Sequence, residues 1–284
     1  MSAFLTDLKK EYASHSYANL FFAAEYHNGQ IHTEAFANTN PCQNIYSVTK
    51  AFIVTAIGLL ADQGLLSTPE YLTAVLADEL PASYNQYWDT VTVHDLLLHH
   101  TALPEGFLDI DCLDASAFGS DYLSYTLNAP LRGDYTENPY TYTDAAFYLL
   151  SRIIEKRSGM GCDNFLWKYL FFPTGCREAA FSHCPQGHTI GATGLYIRAE
   201  DMVKLGMIYL HGGVYEGKRI LSRTWVDTVL EKGYELKSIC RGKAFGKGGM
   251  RGQMLMLIPE TDRVVAWQGC SDENDFTEFA ANYP

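Results

Sequence analysis

The chain has 284 residues, with 21 Lys+Arg against 33 Asp+Glu and a formal net charge of −12. Nucleic-acid binders draw most of their affinity from phosphate contacts and need a basic face, so this balance excludes that class. With 47% hydrophobic and 19% charged residues the chain is no disordered segment, and at this length roughly 75% of the unfolded surface can be buried, in one large domain or two smaller ones.

The first twenty residues lack the basic, then apolar, then small-residue order of a secretory signal. The starting Met points to a cytoplasmic chain rather than one from which a signal was removed. Residues 17–37 are two apolar-rich stretches around Asn28-Gly29, a dipeptide that accepts the positive φ angles of a tight turn, and they predict a β-hairpin. From Ser47, the apolar residues Phe52, Ile53, Ala56, Ile57, Leu59 and Leu60 recur at helical spacing until Gly64, predicting a buried helix. Its run AFIVTAIGLLA (51–61) is the longest apolar candidate and falls short of the ~20 residues that span a bilayer.

From about 65 to 195 the pattern changes to short helical segments joined by loops rich in Pro, Gly, Asn and Asp. Thr92 is a plausible cap for a helix within 91–103, and 144–159 is an amphipathic helix ended by Gly159. Residues 200–213 and 222–233 predict further helices. Strands follow at 253–260 and 263–269 around a Thr261-Asp262 turn, and then a polar tail with a helical SDENDFTEFAA. Strands near both termini with helices between them predict an α/β (α+β) fold: an antiparallel sheet flanked by helices, built from residues 1–64 and 196–284, with an inserted helical domain at 65–195. The seven cysteines (42, 112, 162, 176, 184, 240 and 270) are odd in number and show no CxxC spacing, which favours buried thiols in a reduced compartment over disulfides or a zinc site.

The sequence has no GxSxG elbow, no HExxH and no complete P-loop, and nothing in it calls for a metal or an organic cofactor. Ser47-Val48-Thr49-Lys50 stands out, because positions i and i+3 share a helix face and a partly neutral amine can take a proton from a serine hydroxyl. Taken alone, the pattern favours a helix-capping serine with a solvated lysine. Tyr142-Thr143-Asp144, ahead of the helix at 144–159, and Gly246-Lys247-Gly248-Gly249-Met250, ahead of the strand near Gln253, complete a set of three. His99-His100 suggests a metal pair, but adjacent residues face different sides of a helix, which favours a structural role. Gly242 to Gly252 lacks the features of a phosphate loop. Tyr46, Tyr125, Tyr135 and Tyr196 are candidates for an acyl pocket.

In order and separation these three elements resemble the SxxK, Tyr-x-Asn and Lys/His-(Thr/Gly)-Gly motifs of the serine β-lactamase and penicillin-binding-protein superfamily, in particular its class C β-lactamase-related esterase branch. VTVHDLLLHHTALP (91–104) is similar to that family's ITxxxLLTHTSGLP, TYTDAAFYLLSRIIEKRSG (141–159) to YSNxxYxLLGxIIExxSG, and GKGGMRGQ (246–253) to GHGGxxGQ. The likeness runs over roughly residues 17–270. It implies that Ser47 attacks a carbonyl to form an acyl-enzyme, that Lys50 and Tyr142 share the proton transfers with Lys247 beside them, and that the backbone N–H groups of Ser47 and Met250 form the oxyanion hole.

Two departures from the family pattern matter. Asp144 replaces the family's Asn, so a salt bridge to Lys50 is expected, with activity moved to higher pH. Gly248 replaces a hydroxyl that helps hold a substrate carboxylate, although Arg251 offers another anion contact. Together with Gly249, these residues form the expected substrate-binding set. The expected substrate is a small ester, amide or peptide, with an esterase or small-amide hydrolase ahead of a D-Ala-D-Ala carboxypeptidase, D-aminopeptidase or β-lactamase. A ligand-binding or sensor protein that keeps the fold without turnover is the alternative of another class.

Overall fold

A computed structural model describes residues 2–133 and 140–284. Its centre is a six-stranded antiparallel sheet in the order β2-β1-β11-β10-β9-β8. The hairpin forms as expected, with β1 (Leu20–His27) and β2 (Gln30–Ala35) joined by Asn28 and Gly29 at φ 51° and 77°. A small second sheet in the order β3-β5-β4 joins β3 (Gln43–Asn44), β4 (Ala179–Phe181) and β5 (Leu195–Ile197). β6 (Val214–Tyr215) and β7 (Lys218–Arg219) form a separate short hairpin. The C-terminal strands of the main sheet are β8 (Lys237–Ile239), β9 (Ala244–Gly249), β10 (Gln253–Ile258) and β11 (Arg263–Gly269).

Helix α1 (Ala3–Ser14) precedes β1, α2 (Thr49–Asp62) follows β3, and α3 (Leu72–Val75), α4 (Val93–Leu97) and α5 (Tyr122–Leu127) come next. They are followed by α6 (Asp144–Ser158), α7 (Cys162–Leu166), α8 (Ala199–Leu210), α9 (Arg223–Lys232) and α10 (Thr277–Ala281). The strand period of two sorts each central strand between two apolar layers. Val264 and Ala266 of β11 join the main core with α2, α6 and α8, while Val265 and Trp267 join a second cluster with Phe4, Leu5 and Leu8 of α1 and Phe276. Both faces of these strands are therefore covered, and they read as near-continuous apolar runs. None of the helices among the described residues is long and apolar enough to cross a membrane, and the seven cysteines are unpaired.

Two elements go beyond the sequence expectations. The N-terminal part of the sheet region opens on a helix, α1, capped by Ser2 accepting from the Leu5 N–H at 3.1 Å. The stretch ahead of Gln253 is itself a strand, β9, whose Lys247 is paired with Leu255 of β10. With three glycines among six residues it shows no apolar alternation to betray it.

Helix α2 carries the serine motif at its start. Every residue from Thr49 to Leu60 is buried, so it is a core helix rather than an amphipathic surface one, packed against α6, α7 and α9. Helix α6 begins at Asp144 with Thr143 as its N-cap, and it ends at Gly159 as expected.

Candidate active site

Ser47 lies in a single 3₁₀ turn, Tyr46–Val48, that leads directly into α2. Three hydrogen bonds fix this turn against the small sheet. Ile45 donates its N–H to the Leu195 carbonyl at 3.0 Å, Asn44 Oδ1 accepts from the Tyr46 N–H at 2.9 Å, and the Leu195 N–H donates to Thr49 Oγ1 at 3.2 Å. Tyr46 is held at φ 46°, a left-handed conformation that is costly for a bulky side chain and sets the angle at which Ser47 leaves the chain. Strand β9 passes so close that a Cβ on Gly249 would stand 2.6 Å from the Ile45 carbonyl oxygen and 3.3 Å from the Ser47 nitrogen. Only glycine allows that approach.

Lys50 is one helical turn beyond Ser47 and fully buried. Its ammonium donates to Ser47 Oγ at 3.0 Å, to Asp144 Oδ1 at 2.7 Å and to the Ala192 carbonyl at 2.8 Å, so all three of its protons have acceptors. Burial works against the charge on Lys50, but Asp144, aided by Tyr142 and Glu235, outweighs it and holds the amine charged to above its ordinary pH. The salt bridge expected from the sequence is therefore in place, with its two side chains 0% and 8% exposed.

Tyr142 closes the constellation. Its hydroxyl donates to Ser47 Oγ at 2.7 Å, and Lys247 Nζ stands 3.5 Å from the same phenolic oxygen. The ammonium groups of Lys50 and Lys247 lie 4.8 and 5.0 Å from the centre of the Tyr142 ring. Lys247 is in turn ion-paired with Glu235, a buried carboxylate whose backbone adopts φ 61°. The other oxygen of Glu235 meets His99 Nε2 at 2.8 Å. His99 Nδ1 accepts the Thr143 N–H at 3.3 Å, so the imidazole proton sits on Nε2 and is donated to Glu235. Burial, followed by the Lys50 and Lys247 charges, pushes His99 below its ordinary value despite Glu235, so the ring is neutral at pH 7. For Glu235 burial opposes ionisation, but Lys247 and His99 overcome it and hold the carboxyl well below its usual range.

Ser47, Tyr142, Lys247, Gly248, Gly249 and Met250 all line one cleft of about 710 Å³. Its far wall comes from the C-terminal segment, with Asp272, Asn274 and Asp275 among the lining residues. The structure thus brings together Ser47, Lys50, Tyr142, Asp144, Lys247 and the glycines around them. Arg251, at φ 62° and exposed, is absent from the cleft's lining, and its N–H donates to Asp272 Oδ1 at 3.1 Å. The suggested pocket tyrosines also lie elsewhere: Tyr125 stacks on Phe107, Tyr196 is an exposed residue of β5, and Tyr46 is outside the lining. Tyr135 falls outside the described residues. Asp109, Asp111 and Asp144 approach within 4.8 Å of one another and could offer a cation oxygen ligands. The Lys50 ammonium already engages Asp144, however, and the Thr193 hydroxyl donates to Asp111.

The sequence model of the Beta-lactamase family matches residues 21–268. The chain belongs to the β-lactamase family. A relative within reach of sequence comparison is the 6-aminohexanoate-dimer hydrolase of Paenarthrobacter ureafaciens, 26% identical over 255 residues, which cover 78% of this chain and 64% of that protein. The chain therefore spans less than two thirds of that relative's length. Among solved structures, the penicillin-binding protein of Bacillus halodurans superposes with a TM-score of 0.69 at 18% identity, covering 98% of both chains. EstCE1, a hydrolase with promiscuous acyltransferase activity, superposes at 0.71 with 13% identity, covering 98% of this chain and 96% of its own. At these identities the structural likeness speaks for the β-lactamase-family fold.

Sequence reasoning missed the part of the site formed by Glu235 and His99. His99 was visible as one of two adjacent histidines, but the carboxylate that gives it a role lies 136 residues later in the chain. No spacing rule connects the two.

Proposed function

We propose that this β-lactamase-family hydrolase forms an acyl-enzyme on Ser47 and turns over short esters or small amides. The observation that carries the reading is the position of Ser47 Oγ, 2.7 Å from the Tyr142 hydroxyl and 3.0 Å from Lys50 Nζ, at the mouth of a cleft large enough for a small substrate. Because Asp144 keeps Lys50 as an ammonium, Tyr142 is the base: as a phenolate, its negative charge stabilised by the two lysines beside it, it takes the Ser47 proton and becomes the neutral phenol. Ser47 Oγ bonds to the substrate carbonyl carbon, and the carbonyl oxygen gains charge beside the Ser47 and Met250 amides, at the positive end of α2. The tetrahedral intermediate collapses as Tyr142 returns the proton to the leaving oxygen or nitrogen. Water then repeats the sequence on the acyl-enzyme, with Tyr142 as base, and frees the acid and Ser47.

The choice of substrate follows from the charges that remain. Lys247, the cation nearest the cleft floor, is already paired with Glu235, Gly248 brings no hydroxyl, and Arg251 stands outside the cleft's lining. Lys247 is the cation among the residues that line the cleft, and its pairing with Glu235 leaves little charge for a substrate carboxylate, which favours simple esters and amides over penicillins and D-Ala-D-Ala peptides. The names of the hydrolytic relative and of the acyl-transferring neighbour support acyl transfer. The test is the intact mass after exposure to a fluorophosphonate probe, beside Ser47→Ala. One adduct, absent from the variant, is expected; a folded wild type that stays unlabelled overturns the proposal.

A further inference from the structure

We infer that Glu235 is a positioning residue for proton transfer at Tyr142: one carboxylate holds Lys247 on one side of the phenol and His99 on the other, and so fixes both the place and the charge of what surrounds it. This rests on the proposed role of Tyr142 and extends it to a residue that no part of the three-motif pattern includes.

Glu235 follows α9 and enters β8 through a left-handed backbone conformation, which a glutamate adopts only when its surroundings hold it there. Its side chain is 1% exposed, and both of its oxygens are engaged with residues that touch Tyr142. Through one oxygen it pairs with Lys247, whose ammonium stands 3.5 Å from the Tyr142 hydroxyl. Through the other it accepts from His99, whose ring lies against the Tyr142 ring with centroids 4.7 Å apart and planes inclined by 30°. His99 also accepts the N–H of Thr143, the residue next to Tyr142, so the same imidazole fixes the backbone and the face of the phenol. A carboxylate that served only to neutralise a buried lysine would need neither the second contact nor the left-handed backbone.

The charged and titratable groups facing this unit are Lys247 from β9, His99 after α4, Lys50 from α2 and Asp144 at the start of α6, with Tyr140 edge-on to the His99 ring and Lys232 and Lys237 lining the same cavity as His99 and Glu235. Lys50 is held by Asp144 and Lys247 by Glu235, so each lysine beside Tyr142 has its own buried carboxylate. Replacing Glu235 with glutamine keeps an acceptor for His99 but removes the negative charge. The surroundings of Tyr142 become more positive, which favours its ionised form. Lys247, still beside Tyr142 through its contact with the phenol, is held less firmly, and this lowers kcat at the plateau rather than reversing the shift.

The test compares wild type, Glu235→Gln and Glu235→Asp by two readouts. One is the pH dependence of kcat/KM on a p-nitrophenyl ester. The other is the ionisation of Tyr142, followed by NMR of ring-¹³C-labelled tyrosine and assigned with Tyr142→Phe. In Glu235→Gln the Tyr142 resonance and the acidic limb of the rate profile both move to lower pH, by about one unit, while kcat at the plateau falls. Glu235→Asp retains the charge and keeps both near the wild-type pH. If Glu235→Gln lowers the rate by one factor at every pH and leaves the Tyr142 resonance in place, the carboxylate is merely structural and the inference is overturned. Should the glutamine variant not fold, a Tyr142 titration in Glu235→Asp displaced as far as that of a charge-free site would overturn it equally. The NMR arm needs no turnover, so loss of the acyl-enzyme reading would show as an unlabelled Ser47 with the Tyr142 displacement still present.

Discussion

Replacing Asp144 with asparagine tests the coupling between Ser47 and its neighbours most directly. The ion pair it removes is 2.7 Å long and shielded from water on both sides. At an effective dielectric constant of about 20, unit charges at that separation attract by about 6 kcal/mol, and burial of Lys50 offsets part of this. What remains for an ammonium with a carboxylate neighbour is a displacement of about 1–3 pH units. In Asp144→Asn, Lys50 loses the charge that keeps it protonated while burial goes on opposing the ammonium. The coupled Lys50–Tyr142 unit then gives up its proton at lower pH, and the acidic limb of kcat/KM moves down by about 1–3 units. Below that limb the rate rises about tenfold for each unit moved. The assay is hydrolysis of a short p-nitrophenyl ester across the full pH range, with fluorophosphonate labelling rates as a check that does not depend on the leaving group. An acidic limb that stays where it is in the wild type refutes the reasoning. The pair also stabilises the fold in a pH-dependent way. The folded value of Lys50 lies above its unfolded one, so the stabilisation by the pair is fully present below the ordinary lysine value and is lost as pH rises through the folded value. Urea unfolding at neutral and at mildly alkaline pH must therefore give the same deficit for the variant.

Strand β9 yields a contrast between neighbouring glycines. Gly249→Ala puts a methyl carbon 2.6 Å from a backbone oxygen, so the Ser47 turn or β9 must shift and ester hydrolysis falls about a hundredfold. Gly248→Ala meets only ordinary contacts, at 3.6 Å from Met254 and 3.9 Å from Gln253, and retains near wild-type kcat/KM. Away from the site, Arg263 Nε pairs with Glu25 at 2.8 Å, both buried, and Arg263 also donates to the Tyr283 carbonyl at 2.9 Å. Arg263→Met leaves Glu25 as an uncompensated buried charge and costs about 3–5 kcal/mol in urea unfolding, whereas replacing both partners with apolar residues restores much of the loss. A single variant as stable as the wild type would contradict this.

The parts of the fold legible from sequence are those in which local pattern and tertiary environment agree. The Asn28-Gly29 hairpin, the all-apolar α2, the Gly159-terminated α6 and the β10–β11 pair each announce themselves within about fifteen residues, through period or turn chemistry. Strand β9 does not, because three of its six residues are glycine, one of which, Gly249, serves the close approach to Ser47. Helix α1 is hidden because it is short and largely polar, with only Phe4, Leu5 and Leu8 buried at helical spacing.

The site shows the same division. Ser47, Lys50, Tyr142 and Lys247 are legible because three short motifs carry them, and Asp144 because it departs from one of those motifs. Those motifs supply two cations around one phenol, an arrangement that by itself would be a costly burial of like charges. What makes it stable is the pair of carboxylates, Asp144 for Lys50 and Glu235 for Lys247, each reached from a different element. Asp144 is near enough in sequence to Tyr142 for the motif to reveal it. Glu235 comes from the turn between α9 and β8, beyond reach of any local pattern, and is tied to the rest by the histidine that seemed only structural. The side chains that gather around Ser47 can be read from the sequence, but the counter-charges that hold the two lysines belong to the tertiary fold.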